Sequence, residues 1–159
     1  MTLVFEDLTV EIARADVKDA EEILSLQKVA YGQEAKLYDD FQIPPMVESL
    51  NELKAKFEAH VFLKATVKGK VVGSVRLLQK GDTCEVARLM VRPDCQNRGI
   101  GTKLLLEAER VFPSCRRLEL FTGDRSVKNI YLYKKLGYRV FKSEKPEGNV
   151  NLVFLEKQR

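Results

Sequence analysis

The 159-residue chain has no stretch of about 18 consecutive apolar residues, so nothing in it is long enough to cross a bilayer as a helix. Its first ten residues, MTLVFEDLTV, lack the basic start and unbroken apolar centre of a secretion signal and carry Glu6 and Asp7 instead. A soluble, non-exported, cytoplasmic protein with no membrane partner is expected. Cysteine is scarce. Cys84, Cys95 and Cys115 are odd in number and show no C-x-x-C spacing, which argues against a disulfide framework and against a zinc site. They suit a reducing compartment, and no metal is expected. Low-complexity tracts are missing too, and 45% hydrophobic with 31% charged residues excludes the disordered and fibrous classes. The net charge of +4 is scattered, with no Lys/Arg block longer than Arg116-Arg117 and Lys134-Lys135, so no nucleic-acid surface is expected. A small excess of cations does suit a strongly anionic ligand. At this length the chain reads as one domain, residues 1–159, able to bury roughly two-thirds of its unfolded surface. Nothing in the composition excludes a homodimer.

What is present centres on QNRGIGT, Gln96 to Thr102, which follows the apolar strand EVARLMV and opens an amphipathic helix. Ile100, Leu104, Leu105, Ala108, Val111 and Phe112 mark the buried stripe of that helix. Gly99 and Gly101 lack a Cβ, so the backbone can turn tightly and present several N–H groups at the positive end of the helix, an arrangement suited to a pyrophosphate. A G-x-G alone serves tight geometry as often as a ligand. There is no Walker-type lysine after Gly101, which counts against a nucleotide-binding regulator.

Along the chain, Thr9 to Ala15 reads as a strand, and Asp16 with Asp19 starts a helix that runs to about Tyr31. Ala20, Ile23, Leu24, Ala30 and Tyr31 give it a core face that Gln27 interrupts. Gly32 to Met46 reads as irregular. Ser49-Leu50-Asn51-Glu52 is a capping box opening a second helix near 50–58. Val61 to Val67 and Val71 to Leu78, joined by Lys68-Gly69-Lys70, form a hairpin, and Lys80-Gly81-Asp82 turns into the strand ending at Val91. Arg117 to Phe121 should lie parallel to Glu85–Val91, because a helix separates them. Ser126 is the expected N-cap of the last helix and Gly137 its C-terminal glycine. Tyr138 to Lys142 and Val150 to Leu155 read as a closing hairpin.

Between Glu85 and Tyr138 the chain resembles the GNAT superfamily of acetyl-CoA-dependent N-acetyltransferases. The family pattern R/Q-x-x-G-x-G/A is met by Gln96, Gly99 and Gly101, and an L-Y-x-K-x-G-F/Y pattern by Leu132, Tyr133, Lys135, Gly137 and Tyr138, in the same order and about thirty residues apart. The resemblance implies an α/β (α+β) fold. Its sheet is mixed and mostly antiparallel, with six to seven strands, about four helices on its faces, and a central parallel pair near 85–91 and 117–121. It implies acetyl-CoA as co-substrate and an amine as acceptor. The backbone of Leu89, Met90 and Val91 would pair with the pantetheine arm, and Gln96, Asn97, Arg98, Gly99, Ile100, Gly101 and Thr102 would hold the pyrophosphate. Where the family often has an asparagine seven residues before the tyrosine this chain has Ser126, so Asn129 is preferred for the pantetheine contact. The segment after the first helix shapes the acceptor site in the family, which nominates Tyr31, Glu34 and Tyr38; anchoring a surface loop is the competing use of the same residues.

Acetyl transfer requires a neutral amine. At neutral pH a lysine-like amine of pKa ~10.4 gives up its proton at a cost of about 4 kcal/mol, at 1.36 kcal/mol per unit. A base relieves part of that. Glu85 lies eleven residues before Gln96, the offset at which histone-acetyltransferase-like members carry a glutamate base. Tyr133 takes the place of the tyrosine that protonates the departing thiolate. The reading is therefore an N-acetyltransferase acting on a primary amine, with a non-catalytic acyl-CoA-binding module as the alternative.

Overall fold

The computed structural model describes residues 9–159. The acidic N-terminal residues read above, Glu6 and Asp7, lie outside them. Seven strands form one sheet: β1 (Glu11–Arg14), β2 (Val61–Val67), β3 (Lys70–Lys80), β4 (Thr83–Val91), β5 (Arg117–Gly123), β6 (Arg139–Glu144) and β7 (Leu152–Gln158). Five helical segments accompany them: α1 (Ala20–Tyr38), the single turn α2 (Pro44–Val47), α3 (Leu50–Lys56), α4 (Ile100–Glu109) and α5 (Val127–Lys135). The strand order is β1-β2-β3-β4-β5-β7-β6, antiparallel throughout except between β4 and β5. This is the mixed, mostly antiparallel sheet with a central parallel pair that the sequence implied.

Local chemistry explains the elements. Lys68 and Gly69 both adopt left-handed φ, 52° and 78°, as a tight hairpin turn requires, and they join β2 to β3. The Ser49 side chain accepts from the Glu52 N–H while the Glu52 carboxylate accepts from the Ser49 N–H, so the capping box opens α3. Gly137, at φ 99°, ends α5.

Each face of the sheet buries its own core. On one side Ile100, Leu104, Leu105 and Ala108 of α4 press on Cys84, Val86, Leu118 and Leu120. On the other, Ala20, Ile23 and Leu26 of α1 and Leu53 of α3 meet Phe62, Val71 and Met90. Leu104, Leu105 and Leu53 are fully buried, each worth about 1.5–3 kcal/mol of transfer free energy. These two cores fix where α4 begins and where α1 ends, which is what the site requires.

The segment from Gly32 to Met46 is not irregular. Helix α1 continues through Gly32 to Tyr38, and α2 follows at Pro44. The cause is the buried stripe: Ala35 and Tyr38 extend it at helical spacing from Tyr31, and their burial outweighs the ~1 kcal/mol that glycine costs inside a helix. Asp39, at φ 49°, ends the helix. Gln27, which breaks the apolar pattern, is fully buried, and its side-chain amide donates to the Pro45 carbonyl (3.0 Å) and to Glu48 Oε1 (2.9 Å).

The decisive feature is how β4 and β5 part. Thr83, Cys84 and Glu85 pair with Arg117, Leu118 and Glu119, and there the pairing stops, although β4 runs on to Val91 and β5 to Gly123. A bulge in β4 accompanies the parting. The register with β3 passes from Arg76↔Ala87 to Ser74↔Met90, so Arg88 and Leu89 together face Val75, and Arg88 takes the left-handed φ of 53°. The facing backbone edges of 86–91 and 120–123 are left without strand partners.

Candidate active site

The turn after β4 is built to expose amides. The Arg92 N–H donates to the Val72 carbonyl at 2.7 Å, a single 3-10 turn covers Pro93–Cys95, and the Gln96 side-chain amide donates to the Val91 carbonyl at 3.1 Å. Asn97 and Gly99 then take φ 64° and 82°, swinging the chain into α4. No side chain caps that helix, and its first donated bond runs from the Lys103 N–H to the Gly99 carbonyl at 3.0 Å. The amides of Ile100, Gly101 and Thr102 therefore have no acceptor within the helix. This positive helix end follows the C-terminal end of β4, the end at which β4 no longer pairs with β5. Ile100 contributes only its amide, because its side chain is in the core. Gly101 faces Val91 and Leu132, where an added Cβ would stand at 3.8 and 3.7 Å. Leu89 and Val91 border the gap, whereas the Met90 side chain is buried on the α1 side and only its backbone belongs to the gap. Arg98 is exposed beside the turn.

Tyr133 is buried on α5, in the core against which Leu89 and Val91 of the open β4 edge pack. Burial pushes its phenol well above the ordinary range, with further upward contributions from Tyr31 and Glu34, so Tyr31, Glu34 and Tyr133 share one neighbourhood. The Tyr31 phenol is also raised, burial outweighing the opposing pull of the Arg88 charge. Asn129, one turn before Tyr133, reaches Thr122 Oγ1 at 3.5 Å on the edge of β5.

Two of the three nominated acceptor residues are occupied structurally. The Tyr38 hydroxyl donates to Asp124 Oδ1 at 2.9 Å and accepts from the Arg125 N–H at 2.5 Å, and burial above all raises its pKa to about 12. Glu34 Oε1 accepts from the Ser126 hydroxyl. Both lie against Gly123, where a Cβ would come within 2.4 Å of the Tyr38 oxygen and 2.8 Å of Glu34 Oε1. Glycine at the end of β5 thus lets α1 lock the loop that leads into α5. Ser126 is the N-cap residue of α5, as expected, and its carbonyl accepts from the Ile130 N–H at 3.0 Å, but its hydroxyl is spent on Glu34 and caps no helix N–H. Tyr31 is left as the nominated residue whose hydroxyl has no such duty.

Glu85 sits where β4 and β5 separate, partly exposed and ion-paired with Lys80 at 2.9 Å. It lines a pocket of about 220 Å³ with His60, Ala87, Glu119, Phe121 and Phe154. Between this pocket and Tyr31 lies a polar group absent from the sequence reading. Arg76 donates to Glu48 Oε1 (2.7 Å) and Oε2 (3.1 Å) and to Gln27 Oε1 (3.1 Å), all nearly inaccessible. Burial pushes the Glu48 carboxyl up, but the bonds from Arg76 and Gln27 prevail and hold its pKa down at about 2. The signal was there in Arg76, a cation inside the apolar run VVGSVRLL, and in Gln27 on an apolar stripe.

A sheet that opens between its single parallel pair, with a bare helix start at the mouth and a buried phenol beside it, defines a class of α/β fold suited to an extended anionic ligand. Residues 20–138 match the model of the Acetyltransferase (GNAT) family, and the chain belongs to that family. The chain is 37% identical over 93 residues to the mycothiol acetyltransferase of Amycolatopsis mediterranei, a match covering 50% of this chain and 31% of that protein. The chain spans between 31% and 63% of the length of the curated relatives it matches. Among solved structures it is similar to the PaiA N-acetyltransferase of Thermoplasma acidophilum in complex with coenzyme A. The TM-score is 0.81 at 21% identity, with 95% of this chain and 99% of that one covered. It is also similar to YncA, a putative acetyltransferase of Salmonella typhimurium with its cofactor acetyl-CoA, with TM-score 0.74, 21% identity, and 94% and 93% covered. Both structural likenesses concern the fold. No helix among the described residues is long and apolar enough to cross a membrane.

Proposed function

We propose that the chain transfers the acetyl group of acetyl-CoA to a primary amine by direct attack in a ternary complex. The observation that carries this is the parting of β4 from β5 after Glu85↔Glu119, with the uncapped start of α4 at one end of the gap and Tyr133 beside it. The free edge of Leu89 to Val91 pairs with the amides of the pantetheine arm as an added strand would. The amides of the Gln96–Thr102 turn hold the pyrophosphate, Arg98 adds charge, and Asn129 meets the arm from α5. The bound thioester supplies an activated acyl carbon.

The acceptor enters from the α1 and α3 face through the pocket that Glu85 lines and reaches Tyr31 beyond the Gln27–Glu48–Arg76 group. Glu85 collects the proton of the amine, directly or through water. Tyr133 stays protonated across the working range because burial raises its pKa, and it donates to the thiolate as that leaves. The three buried free thiols suit a reducing cytoplasm.

The test is release of free coenzyme A from acetyl-CoA by purified protein against a panel of primary amines, with product confirmed by mass. Amine-dependent release supports the proposal. Saturable acetyl-CoA binding with no transfer to any amine would leave a non-catalytic acyl-CoA-binding module.

A further inference from the structure

The polar group beside the gap holds two guanidiniums, Arg76 buried and Arg88 partly exposed, and one carboxylate. Arg76 consumes that carboxylate: both Glu48 oxygens and Gln27 Oε1 are its acceptors. Arg88 takes part in none of the ion pairs among the described residues, and its Nε, like that of Arg76, is buried without a hydrogen-bond partner. It also stands in the left-handed backbone region that L side chains rarely adopt, φ 53°, at the bulge that opens the gap. Its neighbours are Tyr31, Arg76 and Glu48, and burial disfavours its charged form. Arg88 stands three residues beyond the last β4–β5 pair, in the bulge next to Leu89, so it lies on the stretch of β4 that borders the gap proposed for the thioester.

The pocket further out leans the other way. Glu85 pairs with Lys80 at 2.9 Å, and the single Arg117 serves both Glu119 and Glu156, each at 2.8 Å, so three carboxylates face two cations there. At the β4 bulge the charge without an ion-pair partner among the described residues is the positive one of Arg88.

We infer that the acceptor carries a carboxylate close to its amine, as an α-amino acid does, and that Arg88 at the β4 bulge binds that carboxylate with the Tyr31 hydroxyl beside it. This rests on the acetyltransferase reading above. A guanidinium meets a carboxylate through two parallel N–H bonds, which fixes the amine one carbon away at the thioester.

The test compares L-amino acids with the amines formed by removing their carboxyl group, for instance L-phenylalanine with 2-phenylethylamine and L-leucine with 3-methylbutylamine, in wild type, Arg88→Gln and Arg88→Lys. Wild type is expected to prefer the amino acid by at least about tenfold in kcat/KM for the accepted pair. Arg88→Gln is expected to lose about 10²- to 10³-fold on the amino acid, far more than on its partner amine, and Arg88→Lys less. Thermal unfolding and acetyl-CoA affinity of each variant report on the fold. Equal rates on both members of each pair, or an equal loss on both in Arg88→Gln, would overturn the inference; the second result would mark Arg88 as a general stabiliser of the reacting carbonyl. Preference for diamines would overturn it as well. If no amine is acetylated, ligand-observed NMR of the L-amino acid mixture with the protein–coenzyme A complex decides. Binding lost in Arg88→Gln then keeps the subsite while the acetyltransferase reading fails, and no Arg88-dependent binding removes both.

Discussion

Replacing Glu48 with glutamine removes one charge from the buried polar group beside the acceptor pocket and leaves Arg76 buried without a counter-ion. The Gln27–Glu48–Arg76 group ties α1, the link between α2 and α3, and strand β3 together. Breaking a buried pair by removing one partner costs about 3–5 kcal/mol. In a domain of this size each kcal/mol moves Tm by about 2–4 °C, so Glu48→Gln should unfold about 10 °C lower at pH 7. The pH dependence gives an independent figure. Glu48 titrates near 2 when folded against an ordinary value of 4.5, which corresponds to about 3 kcal/mol at 1.36 kcal/mol per unit. The folded pKa is the lower one, so this contribution is fully present above the unfolded value and is lost as pH falls from about 5 toward 2. The difference in stability between wild type and Glu48→Gln should therefore be largest near neutrality and shrink through that window. Urea unfolding followed by circular dichroism between pH 7 and pH 3 measures it. A loss under about 1 kcal/mol at pH 7, or a difference that stays constant with pH, would refute the reasoning. A double replacement, Glu48→Leu with Arg76→Met, should recover most of the loss, because no charge is then stranded.

Two further variants address the proposed chemistry. Gly101→Val crowds Val91 and Leu132 at the start of α4 and should sharply weaken acetyl-CoA binding by calorimetry while leaving the fold; undiminished affinity would count against the Gln96–Thr102 turn as the pyrophosphate site. Glu85→Gln should lower kcat most near pH 7, with the defect shrinking toward pH 9.5 as the amine, of pKa about 10, arrives neutral; profiles parallel over that range would remove Glu85 as the base.

Much of the fold was legible because its signals are local. The Lys68-Gly69 turn, the Ser49 capping box, the alternation in β2 and the glycines flanking Ile100 each act within a few residues of sequence. The parts that escaped reading depend on distant partners. Ser126 stands at the N-cap, yet the acceptor of its hydroxyl, Glu34, lies 92 residues away and competes successfully for it. The continuation of α1 past Gly32 is driven by Tyr38 closing on Asp124 and Gly123, contacts that no window around Tyr38 contains. Glu34 and Tyr38 are engaged by Ser126, Asp124 and Arg125 of the loop after β5, whereas the Tyr31 hydroxyl has no hydrogen-bond partner among the described residues. Arg88 gives no sign of its left-handed backbone, since EVARLMV alternates as an ordinary strand would, and the bulge is set by pairing with β3.

Tyr133→Phe tests the central proposal most directly, because it keeps the buried ring and removes only the donor. With an accepted amine at saturating acetyl-CoA, kcat should fall by about 10²- to 10⁴-fold while acetyl-CoA affinity changes little. Because burial holds the Tyr133 phenol above its ordinary range, wild-type kcat should show no alkaline fall from this group up to about pH 9.5. A loss of less than threefold in Tyr133→Phe would contradict the account and assign the thiolate proton to water or to another residue of the gap.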